Sequence, residues 1–135
     1  MMRFLLVGFG GALGSMARYG VGLAAARVVP PQAGGAAWPW ATLTVNLVGG
    51  LLMGLLVGWL AQRGGADQEN IRVLAGVGVL GGFTTFSAFS LETALMLERR
   101  QFGMAAAYVG LSVVVAIAAL MVGMLVARRA FGVAS

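Results

Sequence analysis

Apolar residues along this chain gather into four long runs, 2–29, 38–62, 71–97 and 102–126, separated by short stretches where proline, glycine and charge return together. Each run reaches the roughly 20 residues that a helix needs to cross about 30 Å of hydrocarbon at about 1.5 Å per residue. The pattern predicts four transmembrane helices in a single domain, 1–135. Pro30-Pro31-Gln32-Ala33-Gly34-Gly35 ends the first run, because proline cannot continue a helix and glycine favours a turn. A polar connection from Arg63 to Asn70 leads into the third run, and Glu98-Arg99-Arg100-Gln101 closes it. The first run contains Arg18 and stays apolar to about Val29, so it reads as a retained span rather than a signal peptide. Trp40 and Trp59 lie about 28 Å apart along a helix, which predicts an indole at each interface.

Small and polar residues recur every four positions inside these runs. Gly10, Gly14, Arg18 and Gly22 form one stripe and Thr42, Asn46, Gly50, Gly54 and Gly58 another. Residues four apart share a helix face, and small ones there let membrane helices approach closely. The third run is different. Gly76, Gly78, Gly81, Gly82, Thr84 and Thr85 are poor helix formers packed into one short stretch, so a break near Gly81 to Thr85 is expected. Two readings stand: a glycine kink for packing, or irregular backbone lining a cavity, whose freed carbonyls would make an oxygen site for a cation.

Composition narrows the function. The chain is 60% hydrophobic and 10% charged, with a mean hydropathy of +0.94, more apolar surface than a soluble fold of this length can hide. The net charge of +5 comes from arginines that, apart from Arg18, sit at or near the ends of the runs, where they can snorkel to headgroups. That placement argues against nucleic acid as a partner. Arg3, Arg63, Arg72, Arg128 and Arg129 fall on one side and Arg27, Arg99 and Arg100 on the other, a bias weak enough to permit insertion in both directions. With no cysteine and no histidine, thiol and imidazole chemistry and the usual zinc ligands are absent, so an enzyme is not expected.

The remaining polar groups suit a small anion. Phe86 and Phe89 share adjoining faces with Ser87 and Ser90, and aromatic rings are positive at their edges. Asn46 offers two N–H donors, and Thr85, Ser87, Ser90, Tyr108 and Ser112 one O–H each, with Tyr108 and Ser112 one turn apart. Against this stands the ordinary use of such residues, hydroxyls bonded to their own backbone and phenylalanines packed against lipid. Arg18 and Glu92 are the charges that look embedded, each either a functional group or an interfacial anchor.

Three segments carry a resemblance: Gly10-Gly11-Ala12-Leu13-Gly14-Ser15-Met16-Ala17-Arg18-Tyr19, Thr42-Leu43-Thr44-Val45-Asn46, and Gly81-Gly82-Phe83-Thr84-Thr85-Phe86-Ser87-Ala88-Phe89-Ser90. In order and spacing the chain resembles the Fluc (CrcB) family of bacterial fluoride channels from about Phe4 to Arg129. The resemblance implies an all-α integral membrane protein of the bacterial inner membrane, with a broken third helix, forming an antiparallel, dual-topology homodimer with two fluoride pores. It implies a structural sodium ion held by the main-chain carbonyls of Gly81 and Thr84. It also implies a fluoride pathway of Asn46, Phe86, Phe89, Ser87, Tyr108 and Ser112, with Arg18 near the vestibule, and Thr85, Ser90 and Glu92 as further candidates. Ala88 departs from the family's usual threonine and Ala41 from its usual glycine, the first removing a donor and the second changing helix packing. The rival reading is a proton-coupled small multidrug exporter, which needs an embedded carboxylate, typically in the first span. That span has Arg18 and no acid, leaving only Glu92.

Overall fold

The computed structural model describes residues 1–29, 38–63 and 68–132. The 30–35 turn and the middle of the second connection, 64–67, lie outside them. Among the described residues the spans are helical apart from one break in the third. Helices α1 (Met2–Val28) and α2 (Trp40–Leu60) are followed by a composite third span. It opens with one turn, α3 (Gln68–Ile71), widens into a π-helix (Arg72–Leu80), narrows to α4 (Gly81–Phe83), and resumes after a break as α5 (Phe86–Glu98). Helix α6 (Phe102–Phe131) completes the chain. Four segments, Met2–Val28, Trp40–Leu60, Gln68–Glu98 and Phe102–Phe131, are long and apolar enough to cross a membrane. The fourth outlasts its apolar run because Arg128 and Arg129 occupy its last turns, where long side chains reach headgroups without ending the helix.

The stripes of small residues are seams. A Cβ on Gly54 would collide with the Leu120 carbonyl oxygen, and one on Gly123 with that of Leu51, so α2 and α6 lie backbone to backbone. The first stripe joins α1 to the third span: a Cβ on Gly10 would lie 2.6 Å from the Leu74 oxygen, and one on Gly14 would strike Val79. Gly22, at the end of that stripe, has open space around it and serves no such contact.

The break is real but sits at one end of the expected window. Gly81 is helical (φ −63°, ψ −38°), whereas Thr84 (φ −75°, ψ 159°) and Thr85 (φ −150°, ψ 120°) are extended. The glycines serve close approach and a wider helix instead: a Cβ on Gly82 would come within 2.5 Å of the Gly11 oxygen, and the Gly81 N–H reaches back to the Gly76 carbonyl. The far end of the third span closes with a Schellman turn, Arg100 N–H to Leu97 O and Gln101 N–H to Met96 O, both 2.9 Å. Arg100 takes the left-handed conformation there (φ 58°) that glycine usually supplies.

Gly54→Ala should therefore force α2 and α6 apart and lower stability in detergent by about 1–3 kcal/mol, the usual cost of overpacking. Gly110→Ala, where a Cβ meets nothing within 4 Å, should be neutral or slightly stabilising in the same thermal-unfolding measurement.

Candidate functional site

Two extended residues inside an apolar span take the Thr85 N–H out of the helical ladder, and hydrocarbon offers nothing to replace its partner. Asn46, projecting from α2, supplies one. Its Oδ1 accepts from Thr85 N–H at 2.9 Å, and its Nδ2 donates to Thr85 O at 3.1 Å. Thr85 is in turn the N-cap of α5, its Oγ1 accepting from Ala88 N–H at 3.2 Å and pairing with Ser87 Oγ at 3.3 Å. Thr84 closes the preceding turn, with both its N–H and its hydroxyl donating to Leu80 O at 3.0 Å.

Beside this clasp opens a cleft of about 390 Å³ lined by Asn46, Thr84, Thr85, Phe86, Phe89 and Ser112 among apolar neighbours. Phe86 is 79% exposed, and its ring lies 5.6 Å from that of Phe89. The Ser112 hydroxyl is buried and, among the described residues, has no hydrogen-bond partner. Asn46 spends one Nδ2 hydrogen on Thr85 and keeps the other. The cleft is thus lined by polar residues and two aromatic rings, with no basic side chain among its lining residues.

Behind Phe89 the structure holds a polar cluster. Tyr108, fully buried, packs 5.3 Å from the Phe89 ring and donates its O–H to Glu92 Oε2 at 2.7 Å. Thr42 donates to the other oxygen, Oε1, at 2.6 Å. Glu92 is therefore an embedded carboxyl held at both oxygens by hydroxyls from α2 and α6, not a surface anchor.

Comparison with known proteins gives the family. The family described as "CrcB-like protein, Camphor Resistance (CrcB)" matches residues 5–124. The chain belongs to the CrcB family. A relative from Caulobacter sp. (strain K31), named "Fluoride-specific ion channel FluC", is 59% identical over 98% of this chain and 100% of its own. Proteins of the same name from Phenylobacterium zucineum (57% identical over 97% of this chain and 99% of its own) and Agrobacterium fabrum (45%, over 97% and 100%) are similar along almost their whole length.

Of the residues expected from the sequence, Asn46, Thr85, Phe86, Phe89 and Ser112 meet at the cleft, Ser87 adjoins it through Thr85, and Tyr108 and Glu92 lie behind it. Ser90 donates to Phe86 O at 2.9 Å, the ordinary back-bond of a helical serine. Arg18 does not line the cleft and, among the described residues, forms no ion pair. Sequence reasoning overlooked Thr42 as a site residue, although its place four residues before Asn46 on the same stripe put it on the right face.

The structural sodium ion expected at Gly81 and Thr84 is corrected. Among the described residues no group of three or more histidines, cysteines or acids is arranged to hold a metal ion. Gly81 continues the helix, the Thr84 hydroxyl is committed to Leu80 O, and Asn46 is committed to Thr85. A buried bare ion needs several oxygens at once, and the one side-chain oxygen that these two residues carry is already bonded to Leu80 O.

Asn46→Asp keeps the acceptor for Thr85 N–H but opposes a carboxylate to Thr85 O, so it should both destabilise the break and abolish anion passage. Loss of thermal stability by about 2 kcal/mol or more, together with loss of flux, is the expected result, since one buried bond is broken and a charge is left beside a carbonyl. Full stability in that variant would show that the clasp is dispensable.

Proposed function

We infer that the chain is a fluoride-specific channel that lets fluoride leave the cytoplasm passively and so lowers its concentration and toxicity there. The observation that carries this reading is the cleft. An unpartnered buried Ser112 hydroxyl, the spare Asn46 N–H and the Phe86 and Phe89 rings converge on one space. Fluoride is small and strongly hydrated, so it enters a narrow path only where donors and positive ring edges replace its water, and leaves only if each holds it weakly. The name that the curated relatives bear supports the same conclusion.

The four apolar helices make the chain a multi-pass membrane protein, with the lipid bilayer as its surroundings and, on this reading, the bacterial inner membrane as its location. Conduction asks nothing of a nucleophile or base, and the chain acts as a channel rather than an enzyme. The exporter reading is not favoured: the carboxyl it would need, Glu92, has both oxygens engaged by Thr42 and Tyr108. A single chain leaves the cleft unwalled on the side where Phe86 is exposed. A second copy, inserted in the opposite direction, is the proposed wall, which the weak arginine bias permits.

Purified protein in liposomes should pass fluoride electrogenically without a proton gradient. Phe86→Ile and Phe89→Ile keep apolar bulk but remove the ring edge, so each should lower flux at least tenfold while the protein still assembles; near-normal flux in both would make these rings core. Gln62→Cys, at the exposed end of α2, should be labelled by an impermeant thiol reagent from both faces of the membrane. Labelling from one face alone would rule out dual insertion.

A further inference from the structure

We propose that fluoride completes its route through a second chamber, where the Trp38 indole N–H is its last buried donor and Arg99 sets the anion concentration at the mouth. The inference rests on the channel reading and extends the path beyond the residues named so far.

The chamber, of about 340 Å³, lies at the end of the bundle where α1 finishes and α2 begins, and Trp38, Glu92 and Arg99 are among its lining residues. It is joined to the first cleft by a continuous ladder of rings. Phe86 and Phe89 are 5.6 Å apart, Phe89 and Tyr108 5.3 Å, Tyr108 and Trp38 5.7 Å, and Trp38 and Trp40 6.1 Å. Phe89 lines the first cleft and Glu92, bonded to Tyr108, lines the second, so one aromatic step and one hydrogen bond separate the two spaces.

One feature of this end has no structural explanation in the single chain. The Trp38 Nε1 is buried and, among the described residues, has no hydrogen-bond partner. A donor left that way is costly, and phenylalanine would fill the same place against Tyr108 without it. An N–H with no acceptor of its own suits a dehydrated anion that arrives and leaves. Arg99 follows α5 as its C-cap, fixed by its N–H to Leu95 O at 3.2 Å and by the Schellman turn behind it. A cation at the rim raises the local anion concentration, while the Glu92 oxygens are turned to Thr42 and Tyr108.

The test compares wild-type protein with Trp38→Phe, Arg99→Gln and Arg100→Gln in liposomes, using fluoride efflux at low and high concentrations of an impermeant salt. Trp38→Phe keeps the ring and removes the donor; it should lower flux about tenfold, the effect of one hydrogen bond to a charged group. Arg99→Gln should lower flux severalfold at low salt and approach wild type at high salt, where the field at the mouth is screened. Arg100→Gln, one residue on and outside the chamber lining, should match wild type at both. In 15N-indole spectra of the wild type, the Trp38 signal, identified by its loss in Trp38→Phe, should shift with fluoride and not with chloride. Wild-type protein that passes no fluoride sinks the channel reading itself. Wild-type protein that conducts while Trp38→Phe and Arg99→Gln conduct equally well, or an indole signal indifferent to fluoride, overturns only the second chamber. Should Trp38→Phe not assemble, the contrast between Arg99→Gln and Arg100→Gln decides: equal flux at low salt overturns the proposal.

Discussion

A membrane helix interrupted in its middle must find partners for the backbone groups that the interruption removes from the ladder, because each one left bare in hydrocarbon costs several kcal/mol. Here a single side chain meets that demand at the buried Thr85: Asn46 grips it by both its N–H and its carbonyl. With the break so fixed, Thr85 can cap α5, and α5 can project Phe86 and Phe89 into the cleft. The orientation of the rings therefore follows from one amide on a different helix.

That amide is within reach only because the helices lie unusually close. Gly49, three residues on from Asn46, leaves no room for a Cβ against the Thr84 side chain, and Gly54 and Gly123 bring α2 against α6, which carries Tyr108 and Ser112. On the other flank, Gly10, Gly14 and Gly82 seat the third span against α1. The small-residue seams are thus the means by which donors from three different helices converge, and packing and chemistry are not competing explanations for them.

This division of labour explains what could be read from the residues alone. The four spans were legible because hydrocarbon thickness dictates run length, and the seams because a period of four is a helix face. The break was expected from Gly81 to Thr85 because glycines and β-branched threonines there are poor helix formers, and it falls at the threonines, whereas Gly78 and Gly82 remain helical and are small because α1 is in the way. Two threonines with a distant amide to satisfy them make the interruption, and the amide is a tertiary cause that local propensity does not show. Thr42 and Trp38 escaped notice for the same reason, since their significance lies in Glu92 and Tyr108, which are far away in the chain. Sodium was expected from the resemblance, and the side chains around the break are committed elsewhere.

The character of the donors also follows from the requirement to release what is bound. A guanidinium at the centre of the cleft would pay the dehydration of fluoride in full and hold it there, since an ion pair at low dielectric is far stronger than in water. The cleft is instead lined by a serine, an asparagine and two phenylalanine rings, none of them charged. Fluoride can exchange one partial solvation shell for another without passing a deep minimum, which is the condition for conduction rather than binding. Apart from Arg18, full positive charge is kept to the ends of the spans, where water competes with it. On the proposed route an arginine there would concentrate the anion without trapping it, and the same residues that anchor the helices to headgroups would shape the field through which fluoride approaches and departs.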